Sequence, residues 1–394
     1  MSRGPLLGRV FSAAHVRWRD VDWHVLVIAA ALLGIGLTFL YAMDQAEGAS
    51  LRLAGGVNFA GHRQKVLVTL PLVLAGMFAR PAWLRRNAGW IYAACLMLLC
   101  AVMFIGDERN NARRWIQLPA FDLQPSELAK IGLVLMLARL LASNRLERPG
   151  EWVGPLLAAG VPMVLVAAQP DLGTAMTMVP VTLGMFYLAG ARARSLATLI
   201  AVGLVFCFGA RQAGLVQEYQ WKRVETWAAT YEPEGLLALK TGSGYHQYMA
   251  RAAIGNGGPY GRGLGQGVAN GAGHLPERDS DSVFAVIAEE AGFYGAAGLL
   301  VLYTLLVLLI MHSASGLRDR FCRLVVGGVA LYFAAHVFIN VSTNIGLLPM
   351  TGLTLPLISA GGSSLLATFL ALGLALGLGS HYDTRLDSDA FQRY

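Results

Sequence analysis

The sequence predicts an all-α integral membrane protein of about ten transmembrane helices, with a long extracytoplasmic loop between helices 7 and 8. Three observations predict it. Charged residues make up 14% of the 394 positions and hydrophobic ones 55%, against roughly 25% charged in soluble domains. Mean hydropathy is +0.52. The apolar residues gather into ten runs, each a candidate helix across a hydrocarbon core about 30 Å thick. The net charge of +7 is dispersed at the ends of these runs. It therefore marks membrane boundaries, and a nucleic-acid partner is excluded.

In chain order the runs lie near 25–43, 66–79, 90–105, 128–142, 155–168, 174–189, 196–210, 283–311, 324–345 and 364–378. The eighth is long enough to hold a short surface helix plus a span. One polytopic domain over 1–394 is expected, with tails at 1–23 and 380–394 and the long loop at 211–282. No cleavable signal peptide is expected, because the first run is long enough to stay as a span. Cys95, Cys100, Cys207 and Cys322 lie in or beside apolar segments without metal-ligand spacing, so packing is their expected role.

Basic residues set the orientation. With the N-terminus inside, sixteen arginines fall on cytoplasmic segments, and six basic residues (Arg52, Arg63, Lys65, Arg109, Arg113, Arg114) fall on the short outer loops. Both termini are then cytoplasmic, and every chemically rich polar stretch faces outward.

Four outer stretches carry the interest. In 106–130, Pro125 suits a first helical turn. Glu127 and Lys130, three apart, share a helix face and can pair; they are either a self-neutralising ion pair or part of a site. The second stretch, 169–174, is a tight turn with one carboxylate, Asp171, which is a turn residue or a partner for a base or metal. The third is the long loop. Its aromatics, among them Trp221, Trp227 and Tyr231, suggest amphipathic pieces at the lipid interface. Its nine glycines between 255 and 273 fit neither a dinucleotide fingerprint nor a P-loop, and they read as backbone freedom for a mobile or closely packed segment. The loop ends in Glu277-Arg278-Asp279-Ser280-Asp281 at the start of the eighth run. There an oxygen-bearing side chain either caps the helix or does chemistry, since carboxylates at a membrane edge are functional candidates. In the fourth, 344–364, Pro and Gly at membrane depth imply broken backbone lining a cavity.

The cavity offers carboxylates (Glu127, Asp171, Asp279, Asp281) and cations (Arg63, Arg113, Arg114, Lys130, Arg223, Arg262). That set suits group transfer from a lipid-linked phosphate or pyrophosphate. A carboxylate takes a proton from the attacking hydroxyl, and cations stabilise the departing pyrophosphate. The same residues also suit ion coordination in a transporter.

The ordered motifs resemble the SEDS family (shape, elongation, division and sporulation). They are Arg63-Gln64, Ala112-x-Arg114-Trp115, Gln124-Pro125-Ser126-Glu127-x-x-Lys130 and Gln169-Pro170-Asp171-Leu172-Gly173-Thr174. Next come Tyr219-Gln220-x-x-Arg223-Val224, Gly244-Tyr245-His246 and Ala253-Ile254-Gly255-x-Gly257-Gly258. Last are Leu275-Pro276-Glu277-Arg278-x-x-Asp281, Phe284-Ala285-Val286-x-Ala288-Glu289-Glu290, Gly346-Leu347-Leu348-Pro349 and Gly361-Gly362-Ser363-Ser364. The resemblance implies a ten-span peptidoglycan glycosyltransferase in the bacterial cytoplasmic membrane. It would polymerise lipid II at the outer face, with a class B penicillin-binding protein as transpeptidase partner and membrane lipids around it. The family's essential aspartate falls on Asp281. Arg63, Arg114, Trp115, Glu127, Lys130, Asp171, Arg223, Glu277 and Ser363 carry over as substrate-binding or supporting residues. The Gln-Pro-Asp-Leu-Gly-Thr form and the Gly-Tyr-His stretch look more like the elongation members (RodA) than the division members (FtsW).

Where the family pattern reads His-Thr-Asp-Phe-Ile-Phe, this chain has Asp279-Ser280-Asp281-Ser282-Val283-Phe284. Asp279 thus stands two residues from the expected base. Paired carboxylates raise each other's proton affinity or bind a divalent cation such as Mg or Mn together. Ala360 replaces the family's tyrosine before Gly361-Gly362. Readings from other classes are a lipid II flippase and a non-catalytic scaffold for the penicillin-binding partner. The flippase is disfavoured by the absence of an internal repeat.

Overall fold

The computed structural model describes residues 10–11, 16, 18–46, 57–109, 112–117, 122–212, 214, 218–231, 244–268 and 275–380. The tails at 1–23 and 380–394 fall largely outside these residues, as do 232–243 and 269–274 of the long loop.

All ten apolar runs fall on helices. In chain order the helices are α1 (Trp23–Ala46), α2 (Phe59–Thr69), α3 (Pro71–Phe78), α4 (Pro81–Ile105), α5 (Pro125–Ala142), α6 (Pro149–Ala168), α7 (Leu172–Leu188), α8 (Ala193–Gln212), α9 (Glu218–Ala229), α10 (Tyr245–Gly257), α11 (Val283–Ser315), α12 (Arg320–Ile345) and α13 (Gly362–Gly379). The chain is an all-α membrane protein. Among the described residues six helices, α1, α4, α6, α11, α12 and α13, are long and apolar enough to cross a membrane. The other runs fall short for physical reasons. The second is divided between α2 and α3, where Pro71 starts a new first turn. The fourth, α5, carries Glu127, Lys130 and Arg139. The sixth and seventh are shorter apolar helices.

Helices α12 and α13 form the centre: 72% and 83% of their spanning windows are buried, against 28% for α1, α4, α6 and α11. Small residues let α13 sit against α3, since a Cβ on Gly373 or Gly377 would strike the Val73 or Met77 backbone. The segment 346–361 joins the end of α12 to the start of α13.

The eighth run divides into a short helix and a span, but the short helix, expected at the surface, is buried from Val283 to Glu290 because other segments pack around it. Within α11, Gly292 adopts φ 70 and ψ −170, a break in an otherwise continuous helix, in a region essentially only glycine populates. The glycine-rich loop threads into this break. Gly263 N donates to Glu290 O at 2.9 Å and Phe293 N to Gly258 O at 2.8 Å. Gly257 and Gly261 serve close packing, since a Cβ on either would strike the α11 backbone, while Gly258, Gly263 and Gly265 serve positive-φ turns.

One element was not foreseen. Between α4 and α5 a small antiparallel sheet of order β1-β2-β3 forms from Asp107–Arg109, Ala112–Gln117 and Asp122–Leu123. Its strands are too short to show an alternation in sequence.

Candidate functional site

The stretch 277–282 precedes α11 and is fixed from several sides. Asn340 and Asn344, one turn apart on α12, both donate their Nδ2 to the Asp281 carbonyl, each at 2.9 Å. Ser359 Oγ donates to the Ser280 carbonyl at 2.6 Å, and Ala360 N donates to the Asp279 carbonyl at 2.7 Å. Glu277 closes the turn by accepting from Ser280 N and Ser282 N, with a strained φ of 47. These bonds hold main-chain atoms and leave the Asp281 carboxyl to its surroundings.

That carboxyl faces the turn after α12: a Cβ at Gly352 would lie 3.4 Å from Asp281 Oδ2. Burial pushes its pKa up to about 7, helped by the negative charges of Glu277, Asp279 and Asp171 and opposed by Arg223. The capping alternative is not realised. Ser282 holds the N-cap position of α11, and no side chain makes a cap bond there.

Asp171 is both a cap and an ion-pair residue. Its Oδ1 accepts from Thr174 N at 3.2 Å at the start of α7, and its Oδ2 accepts from Gln124 Nε2 at 3.0 Å. Arg114, carried on β2, donates Nε to the Gln169 carbonyl at 2.8 Å and Nη2 to the Pro170 carbonyl, with Nη1 4.0 Å from Asp171 Oδ1. The turn abuts the Asp281 region directly, because a Cβ on Gly173 would run into the Thr351 carbonyl. Ser363 accepts from Gln124 N at 2.8 Å and donates to the Asp122 carbonyl at 2.5 Å, tying the start of α13 to the sheet and α5.

The long loop supplies the remaining wall. Arg223 on α9 lies 3.4 Å from the Met350 carbonyl through Nη1. Trp227 and Tyr231 donate to the Gly346 carbonyl at 2.9 and 2.8 Å. Their polar ends thus anchor the loop to the turn after α12. On α10, Gln247 donates to the Leu348 carbonyl at 2.9 Å, and His246 Nε2 lies 2.6 Å from Ser282 Oγ.

Other sequence-predicted residues lie apart. Glu127 and Lys130 form a buried pair at 2.8 Å, and Lys130 Nζ also meets His336 Nε2 at 2.8 Å. Neither bears on the Asp281 carboxyl. Because an ammonium only donates, His336 must accept at Nε2 and is neutral there. Arg63 is exposed on α2 and also does not bear on Asp281. Trp115 pairs with Asp107 in the sheet and is partly buried. Asn340 and His336 are not among the sequence-predicted residues, and Asn344 and Ser359 enter there only as part of the 344–364 stretch. The available signal was polar side chains inside otherwise apolar spans. Among the described residues no group of three or more His, Cys, Asp or Glu side chains gathers to cage a metal ion.

Comparison with known proteins fits this geometry. Residues 23–383 match the family model described as cell cycle protein, covering FtsW, RodA and SpoVE. The chain belongs to this family. It is 36% identical over 387 residues to the probable peptidoglycan glycosyltransferase FtsW of Mycobacterium tuberculosis, covering 96% of this chain and 70% of that one. It is also 36% identical over 359 residues to the peptidoglycan glycosyltransferase MrdB of Escherichia coli, covering 91% and 92%. Among solved structures, a chain from a study of polymerization and crosslinking by a peptidoglycan synthase complex matches with TM-score 0.77 and 29% identity, covering 95% of this chain and all of that one. The rod shape determining protein RodA of Thermus thermophilus matches with TM-score 0.67 and 28% identity, covering 93% and 99%.

Proposed function

We propose that this chain is a peptidoglycan glycosyltransferase that polymerises lipid II at the outer face of the cytoplasmic membrane, with Asp281 as its general base. The observation that carries this reading is the Asp281 carboxyl, held by a fixed backbone with its pKa pushed up to about 7. A base works best when its pKa lies near the working pH. Family membership and the names of the relatives support the reaction class.

In the proposed reaction a sugar hydroxyl of the acceptor attacks the anomeric carbon of the donor. The new glycosidic C–O bond forms as the bond to the pyrophosphate oxygen breaks. The hydroxyl proton goes to Asp281, and the pyrophosphate leaves with the bonding electron pair. One base opposite the leaving group suffices for inversion. Arg223 faces Asp281 and is placed to meet the phosphates, whereas Arg114 and Asp171 hold the wall formed by the 169–174 turn. Glu127, Lys130 and Ser363 support the frame. Trp115 and Arg63 are proposed as outer contacts to the lipid or its sugars.

A divalent cation is proposed at two carboxylates only, because Asp279 adds negative charge at Asp281 and hard cations take oxygen ligands. Asp279 and Asp281 would hold it, with substrate oxygens and water completing its shell. When bound, such an ion neutralises charge on the pyrophosphate.

The elongation role is proposed over the division role on the Gln169–Thr174 and Gly244–His246 forms. The proposed partner is a class B penicillin-binding protein, and the proposed orientation has both termini cytoplasmic, supported by the sixteen-to-six asymmetry of basic residues. The test is lipid II polymerisation by the detergent-purified complex with that partner, using wild type, Asp281→Ala and Asp279→Ala, with the partner alone as control. Polymer from wild type and none from a folded, complexed Asp281→Ala supports the reading. Polymer from all three overturns Asp281 as base, and none from any turns the reading toward a flippase or scaffold.

A further inference from the structure

Ser282 is at the N-cap of α11, where a serine ordinarily accepts a hydrogen bond from the first free N–H groups of the helix. Here its side chain makes no such bond. The hydroxyl is fully buried, so neither nucleophilic attack on a lipid-borne substrate nor contact with solvent is open to it. It lies 2.6 Å from His246 Nε2, a residue of α10 in the long loop. The sequence family pattern has Phe at this position, so the contact belongs to this chain's own departure.

Burial, opposed by Glu277 and aided by Arg223, holds the imidazole below its usual pKa. A neutral ring with its proton on Nδ1 accepts at Nε2, and Ser282 Oγ then donates to it. Ser282 closes the turn that carries Asp281, and the imidazole holds that end of it.

We propose that His246 is a positioning residue for Asp281, acting through Ser282: its imidazole clips the Ser282 end of the 277–282 turn to α10 and so fixes the direction of the Asp281 carboxyl. The main-chain bonds from Asn340, Asn344, Ser359 and Ala360 attach this turn to the transmembrane core. The His246 clip is the side-chain bond that ties the same turn to α10 of the outer loop. It rests on the glycosyltransferase reading for its consequence, though the clip itself is independent of it.

The experiment uses the full chain in complex with its penicillin-binding partner, with lipid II as substrate. His246→Ala and Ser282→Ala are each expected to lower kcat about tenfold, the effect of one well-placed buried hydrogen bond, with KM changed less than about twofold. The double variant should lose no more than either single one, because both remove the same bond. His246→Gln, which returns an acceptor to the Nε2 position, should recover most of the rate. Hydrogen–deuterium exchange over 277–285 is measured on the same samples. The clip predicts faster exchange in His246→Ala and restoration in His246→Gln. Additive losses, an unchanged kcat or unchanged exchange would each overturn it. If wild type makes no polymer, the glycosyltransferase reading fails and exchange alone decides the clip.

Discussion

The pKa of Asp281 makes a prediction that separates a tuned base from a bystander. A carboxyl at about 7 is about 1% ionised at pH 5 and about 90% ionised at pH 8. Only the ionised form accepts the hydroxyl proton, so the rate must rise with pH through about 7, falling tenfold per unit below it. The causes can be removed one at a time. Burial is the largest and stays when neighbours are changed, followed by Glu277 and then Asp279. Glu277→Gln and Asp279→Asn are therefore each expected to move the midpoint down, Glu277→Gln further, without reaching the ordinary aspartate value. Glu277 is exposed, so salt should reproduce part of its effect by screening. Stability carries the opposite sign. With its folded pKa above its unfolded one, Asp281 binds more protons folded than unfolded between about pH 4 and 7. Its contribution is full below that window and lost as pH rises through it, so Asp281→Asn should flatten the decline in thermal stability between pH 5 and 8. The assay is initial polymerisation rate from pH 5 to 9 at constant ionic strength and fixed divalent cation. A midpoint near 4, or a profile and metal dependence unchanged in Asp279→Asn, would refute the reasoning.

Three other perturbations test the frame. Gly292→Ala puts a side chain in a conformation that costs about 1–3 kcal/mol, at a point where its Cβ would also strike Gly261 N; the melting temperature in detergent should fall clearly below wild type. Lys130→Met leaves the buried Glu127 without its cation, a loss of about 3–5 kcal/mol, whereas Lys130→Met with Glu127→Gln should unfold much closer to wild type in the same scan. Arg114→Lys keeps the charge but loses the fork that reaches the Gln169 and Pro170 carbonyls together; polymer yield should drop about tenfold with the complex still intact by size-exclusion chromatography.

What the sequence made legible was whatever is local along the chain. Apolar runs gave the helices, and a run too long for one span gave the division of α11, though not its place at Gly292. The i,i+3 spacing gave the Glu127–Lys130 pair. The unread parts depend on contacts between distant segments. His336 completes that pair from 206 residues away. Asn340 and Asn344 resembled ordinary polar interruptions of a span until the Asp281 carbonyl was found between them. Ser282 takes the N-cap position of α11 without a cap bond, and its hydroxyl meets His246, 36 residues earlier.

The same distinction explains how the chain departs from its family's pattern at two adjoining places. Asp279 and Ala360 meet through main-chain atoms, the Ala360 N–H donating to the Asp279 carbonyl. A backbone bond forms whichever side chains flank it, so exchanging a histidine and a tyrosine for an acid and a methyl group leaves the turn that aims Asp281 in place. What changes is the field inside it. The Asp279 charge adds to burial in raising the Asp281 pKa, and Ala360 takes an aromatic ring out of the adjoining wall. The departures therefore act on the proton affinity of the base and the shape around it, while the scaffold that positions the base is held by bonds indifferent to both.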